Sequence, residues 1–147
     1  MRELKIYHPN AKGTGSCLKV AQMVDGDVML SVYPQKQSCG MPGFNWDDGV
    51  GFIADWHALS EILMVFRGEI ESLGDGNGIV YDASNSVKNR LRLRHVIEPI
   101  HAYMLDLDMS FCGKVAERHF LIHNAEALGL SLIIEGVLHH TLIGGEP

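Results

Sequence analysis

Cysteine is scarce in this 147-residue chain, and the three present (Cys17, Cys39 and Cys112) are odd in number and widely spaced. A disulfide framework is not expected, and a reducing, cytoplasmic setting is the default. No Cys-x-x-Cys or His-Glu-x-x-His pattern occurs, so the common sequence-local metal arrangements are missing. No apolar run reaches the ~18 residues that a membrane span needs, and no membrane partner is expected. The opening Met-Arg-Glu-Leu-Lys-Ile carries charge where a secretory signal would be apolar. Positive charge is also short. Twelve Lys and Arg stand against eighteen Asp and Glu, for a net charge of −6 with the eight histidines neutral. Overall charge therefore does not hold a polyanion; a local basic surface would have to. Charging all eight histidines would move the net from −6 to +2, so mild acid can reverse the sign of the molecule.

Signatures of catalysis are missing as well. The glycines of AKGTGS (Ala11 to Ser16) lack phosphate-loop spacing, and GDGNG (Gly74 to Gly78) lacks a strand-to-helix context. No nucleophile elbow is present. His95, His101, His119, His123, His139 and His140 could in principle assemble a metal site, but they read as isolated surface or core histidines, and the adjacent His139 and His140 point about 100° apart on a helix, a poor chelate. No catalytic residue, metal ligand or cofactor is assigned.

What is present reads as one globular domain spanning 1–147, with 46% hydrophobic and 20% charged residues. Sixteen glycines fall mostly between apolar runs, a pattern of short strands and turns. Strands are expected over Ser16 to Val24 and Asp27 to Gln37, joined at Asp25-Gly26. Ser38 to Pro42 reads as a loop, and Phe44 to Ala54 as one or two strands with a turn near Asp47-Asp48-Gly49. Asp55 then caps a helix whose Leu59, Ile62, Leu63 and Phe66 share one face, and Gly68 ends it. Residues 69–77 connect two halves, 1–68 and 78–147. The second half repeats the plan: strands over Gly78 to Asp82, Ser86 to Val96, Ile100 to Ser110 and Val115 to Ile122, with a turn at Glu98-Pro99. A helix capped by Asn124 follows and runs to about Ile143, before Gly144-Gly145. The class is α+β, a helix after each set of strands.

Two segments stand out. In Ser86 to Val96, alternation puts Lys88, Arg90, Arg92 and Arg94 on one side of a single strand. Such a comb has roughly 7 Å between teeth, twice the rise per residue, close to the spacing of phosphates in an extended single strand. The same strand admits a second reading. A hairpin at Glu98-Pro99 would set Arg90 against Asp108 and Arg92 against Asp106, a ladder of cross-strand ion pairs each worth under about 1 kcal/mol. The other segment is the C-terminal helix, where only Glu135 is charged between Ala127 and Gly145. A helix apolar on every side is buried on every side, either against another subunit or wrapped within one core.

The N-terminal half carries a resemblance. YHPN (Tyr7 to Asn10) and AKGTGSCLKV (Ala11 to Val20) are followed by DGDVMLSVYPQKQ (Asp25 to Gln37), FNWDD (Phe44 to Asp48) and the helix DWHALSEILMVFRGE. This order resembles the Whirly-type single-stranded DNA-binding transcriptional regulators and their positive-cofactor-four-like relatives. Thr14 stands where that family's Lys-Gly-Lys signature has its second lysine. The resemblance implies two antiparallel four-stranded sheets packed crosswise, with helices between the protomers of a homo-oligomer. The C-terminal helix would make that contact, in a dimer or tetramer.

Binding single strands without sequence preference needs cations along the phosphates and rings against the bases. The resemblance places Lys12 and Lys36 at the sheet edge. Lys19 shares a strand with the Lys12 motif, and Gly13 and Gly15 would admit close approach of the nucleic acid. Tyr33, Phe44 and Trp46 are the candidate rings, although large rings usually fill cores, and Trp46 is expected to pack beneath the sheet. Lys88, Arg90, Arg92 and Arg94 add the strand comb. The expected function is single-stranded nucleic-acid binding, DNA or by extension RNA, in transcription or DNA maintenance. The alternative is an acidic oligomeric scaffold with little affinity for nucleic acid.

Overall fold

The first sheet is laid down by period-two alternation. In the computed structural model, which describes residues 2–36, 43–84, 86–98 and 100–144, β1 (Glu3–His8), β2 (Ser16–Gln22) and β3 (Val28–Lys36) form an antiparallel meander. The two-residue β4 (Gly43–Phe44) and then β5 (Val50–Ala54) pair along the free edge of β3. Leu18, Val20, Leu30, Val32 and Phe52 turn inward and are buried. β1 was not expected from the sequence. It has only Leu4 and Ile6 to bury, and as an edge strand it covers little, so its apolar signal is weak. The loop expected over 38–42, Pro99 of the second turn and Gly145 lie outside the described residues.

Asp55 accepts from the Ala58 N–H at 2.9 Å and starts α1 (Trp56–Phe66), as its position predicts. Gly68 follows at φ +74, the left-handed conformation that ends such a helix with least strain. Three carboxylates gather near this start. Burial first, then Asp25 and Asp55, push the Asp27 carboxyl above its ordinary value. The folded state thus holds that proton more tightly than the unfolded chain. The resulting stability is present below the ordinary carboxylate pKa and lost as pH rises through the raised one. Asp27→Asn should therefore melt higher than wild type at pH 7, with the advantage disappearing in acid; melting curves at pH 7 and pH 3 check it.

The second sheet is β6 (Ile79–Ser84), β7 (Val87–Val96), β8 (Ala102–Phe111) and β9 (Lys114–His123), each antiparallel to the next. Cys112 and Gly113, both at positive φ, close the β8–β9 hairpin. The two sheets face each other across a single buried cluster. β5 touches β7, β8 and β9 in turn, as a strand does when it crosses three others rather than lying along one. Asn89 reaches across this core to donate to the Gly51 carbonyl. The architecture is the expected α+β pair of crossed sheets, with β4 added to the first.

His123, not Asn124, occupies the N-cap position of α2 (Asn124–Ile143), and Gly144 closes the helix in the left-handed conformation. Ala127, Leu130, Ile134, Val137 and Leu138 are buried. Leu128, Leu132, Leu142 and Ile143 remain more than half exposed. The helix is also 20 residues long with a mean hydropathy of 1.3, enough by length and composition to cross a membrane, although 28% of that stretch is buried inside this fold. Apolarity all round is thus not burial all round: one side docks on the protomer and the other faces out.

Candidate nucleic-acid interface

Inward-facing residues of the first sheet fix what stands on its outer face. Strand register sets Tyr7 opposite Cys17 and Cys17 opposite Tyr33 in one row. The next row holds Lys5, Lys19, Ser31 and Gly51. Between β4 and β5 the chain leaves the ladder, and this excursion swings Trp46 over the sheet. The Trp46 ring meets Tyr33 edge-on at 4.9 Å, Phe44 lies 5.9 Å from Trp46, and Tyr7 lies 5.4 Å from Phe44. Lys5 Nζ sits 4.9 Å from the centre of the Trp46 ring, a cation–π contact. Trp46 is 45% exposed and Tyr7 50%. Trp46 therefore does not pack beneath the sheet; the loop that carries it passes outside, so the ring lies on the solvent side.

The platform is held from below. Arg118 of β9 donates to the Asp48 carbonyl from Nε at 3.1 Å and from Nη2 at 3.0 Å, and pairs with the Asp48 carboxylate at 2.8 Å. This bidentate grip anchors the Trp46 loop to the second sheet. Gly49 lies directly under the Tyr33 ring, where a Cβ would come within 2.3 Å of Tyr33 Cε1. Lys5 and Lys19 both reach Glu3 at 3.5 Å. Lys19 first among them holds the Glu3 carboxyl below its ordinary value. Cys17, buried in the row between Tyr7 and Tyr33, has its thiol pushed up by burial.

Lys12 and Gly13 form the turn between β1 and β2. Asn10 organises it: its Nδ2 donates to Thr14 Oγ1, and its Oδ1 accepts from the Thr14 N–H, each at 2.9 Å. Gln35 Oε1 accepts from both the Asn10 and the Gly15 N–H at 3.0 Å, tying the turn to the end of β3. Thr14 thus closes the turn that a second lysine would leave open. Gly15 is required by packing, since a Cβ there would lie 2.2 Å from the His8 carbonyl. Lys36 is exposed at the far end of β3, beside this turn.

Lys88, Arg90, Arg92 and Arg94 project from the outer side of the second sheet, while Asn89, Leu91 and Leu93 are buried on the other. The register sets Arg90 opposite Asp108, Arg92 opposite Asp106 and Lys88 opposite Asp82. Among the described residues none of the four closes an ion pair within 4.0 Å, and Asp106 instead meets His119 Nδ1 at 2.5 Å. With Glu117 opposite Asp108, four carboxylates share this face with the four cations. Rings beside cations stand on the first sheet; formal charge on the second nearly cancels.

Of the residues on this face, Lys19, Tyr33, Phe44 and Trp46 are candidates from the sequence; Lys5 and Tyr7 are not. The signal for both was the Glu3-Leu4-Lys5-Ile6-Tyr7 alternation, too short and too thinly apolar to separate from a charged leader. Arg118 had no local signal, because its partner Asp48 is 70 positions away.

No family model matches the chain, and no curated protein matches it in sequence. Solved structures do match. A crystal structure of WHY3 from Arabidopsis thaliana superposes with a TM-score of 0.74 at 13% identity, covering 97% of this chain and 89% of that one. A guide-RNA-binding protein complex bound to a guide RNA gives 0.71 at 16% identity, covering 95% and 91%. The plant transcriptional regulator PBF-2 gives 0.66 at 13%, covering 97% and 83%. The chain has the Whirly-type fold.

Proposed function

We propose that this protein binds single-stranded nucleic acid, DNA or RNA, with little sequence preference, on the outer face of its first sheet. The observation that carries the reading is the Lys5–Trp46–Tyr33 platform: a half-exposed Trp46 ring with a lysine across it and the partly buried Tyr33 at its edge. Rings accept the faces of any base, and lysines follow a backbone without reading it. Lys19, Lys12 and Lys36 extend the cationic track, and Gly13 supplies the turn at its edge. The solved guide-RNA complex and the plant regulator share the fold and favour the same use of it. An overall charge of −6 confines attraction to this face. The active form is a homo-oligomer joined through the open side of α2.

Anisotropy of a labelled oligo-dT of about 30 nucleotides, titrated at low salt, tests the reading. Four lysines neutralising four phosphates predict a log–log salt slope of about −3. Lys5→Glu with Lys19→Glu should weaken binding by about tenfold or more at low salt, and Arg90→Glu with Arg92→Glu by much less, because four carboxylates share the face of the four second-sheet cations whereas Glu3 alone pairs with both Lys5 and Lys19. A folded oligomer that binds no oligo-dT at pH 7.5 or pH 6 would turn the assignment to an acidic scaffold, a role that the charge-balanced second sheet and the exposed side of α2 also suit.

A further inference from the structure

We infer that His8, His123 and Glu126 form a divalent metal site, of Zn²⁺ type, that ties β1 to the start of α2. One ligating atom from each residue lies within 4.8 Å of the others. His8 closes β1 and turns inward, its ring stacked on Phe120 at 4.3 Å and 16°. His123 ends β9, its ring 5.0 Å from that of His8. Glu126 divides its carboxylate between the two strands: Oε1 accepts from the His123 N–H at 3.0 Å, while Oε2 lies 2.8 Å from His8 Nε2.

The donor set decides the class of ion. Two imidazoles and one carboxylate suit Zn²⁺ and its transition-metal neighbours, whereas Mg²⁺ and Ca²⁺ prefer oxygen alone. Tetrahedral zinc holds donors at about 2.0–2.2 Å, so neighbouring donors stand roughly 3.5 Å apart. Reaching that from 4.8 Å takes side-chain adjustments of about 1 Å. Ligation takes the His8 tautomer that carries its proton on Nδ1, so that the Nε2 lone pair facing Glu126 is given to the ion. The second Glu126 oxygen stays oriented by the His123 N–H, the kind of outer support that ligands to a metal have. Three protein donors leave the fourth position to water. His8 and Glu126, 25% exposed each at the side chain, shield the ion on one side, and the exposed His123 leaves the other open to solvent. No sequence motif could show this, since His8 and Glu126 are 118 positions apart.

Calorimetry with ZnCl₂ on the full chain tests the site, with Co²⁺ absorption as the second readout. The expected result is one tight site per chain, a raised melting temperature, and a visible Co²⁺ band of tetrahedral intensity. His8→Phe keeps the ring stacked on Phe120 but removes the donor, and Glu126→Gln keeps an oxygen for the His123 N–H but removes the charge. Each should weaken Zn²⁺ by about tenfold or more and abolish the Co²⁺ band, while His139→Ala with His140→Ala changes neither. Tight binding that survives both single variants, loss of it in the His139/His140 variant, or weak Co²⁺ absorption of octahedral type would overturn the assignment. None of these readouts depends on nucleic acid.

Discussion

Replacing Trp46 and Tyr7 together by alanine is expected to weaken oligo-dT binding by about 2–6 kcal/mol while leaving the fold intact. Each ring that stacks on a base contributes roughly 1–3 kcal/mol when truncated to alanine, and these two are the most exposed of the four rings on the outer face. Trp46→Ala should be the more damaging single change, because it also removes the seat of Lys5 and the edge contact to Tyr33. The stability cost should stay near 1 kcal/mol, as partly exposed side chains off the core usually show. Trp56 supplies the control. It is 41% exposed, but its ring stacks on His57 at 3.7 Å and has no part in the cluster, so Trp56→Ala should bind oligo-dT as wild type does. Anisotropy titrations beside thermal melts separate the two effects.

Leu128→Asp with Leu132→Asp should convert the protein to a folded monomer. Both leucines are more than 60% exposed on the protomer, on the side of α2 away from its buried residues. With the exposed Ile133, Leu142 and Ile143 they make five uncovered apolar side chains along one helix, a grouping of the kind that marks an interaction surface. Burying a leucine yields roughly 1.5–3 kcal/mol, and a two-fold interface contains every substitution twice. The double variant therefore loses more than about 6 kcal/mol of association. Light scattering should report 16.2 kDa for it and a multiple of that for wild type. Circular dichroism should be unchanged, because neither side chain supports the protomer core. A wild type already monomeric at micromolar concentration would contradict the assembly.

Local chemistry was legible where one element sufficed to decide it. The Asp55 cap, the Gly68 stop, the Asp25-Gly26 turn and the two faces of β7 all follow from neighbouring residues, and the structure has each of them. Even the Arg90–Asp108 and Arg92–Asp106 register followed, because the two strands are neighbours in sequence and pair directly. Placement that depends on the third dimension was not legible. Trp46 is a large ring, and size alone argues for the core; its exposure comes from a loop path set by Arg118, far along the chain. Tyr7 and Lys5 went unseen with β1, whose membership in the sheet is decided by pairing with β2 rather than by its own burial. The strand comb was found from its spacing. Of what balances it, Asp106 and Asp108 follow from the hairpin, while Asp82 and Glu117 stand on two further strands that no local signal connects to it.

In the proposed function, nucleic acid lies against the outer face of the first sheet. Trp46 reports on this directly once Trp56→Phe leaves it the single tryptophan of the chain. Titration of that variant with oligo-dT should quench the remaining fluorescence, saturating at the stoichiometry that anisotropy gives, since a stacked base lies against the emitting ring. Full binding by anisotropy with the Trp46 emission unchanged would place the strand elsewhere on the protein and contradict the account.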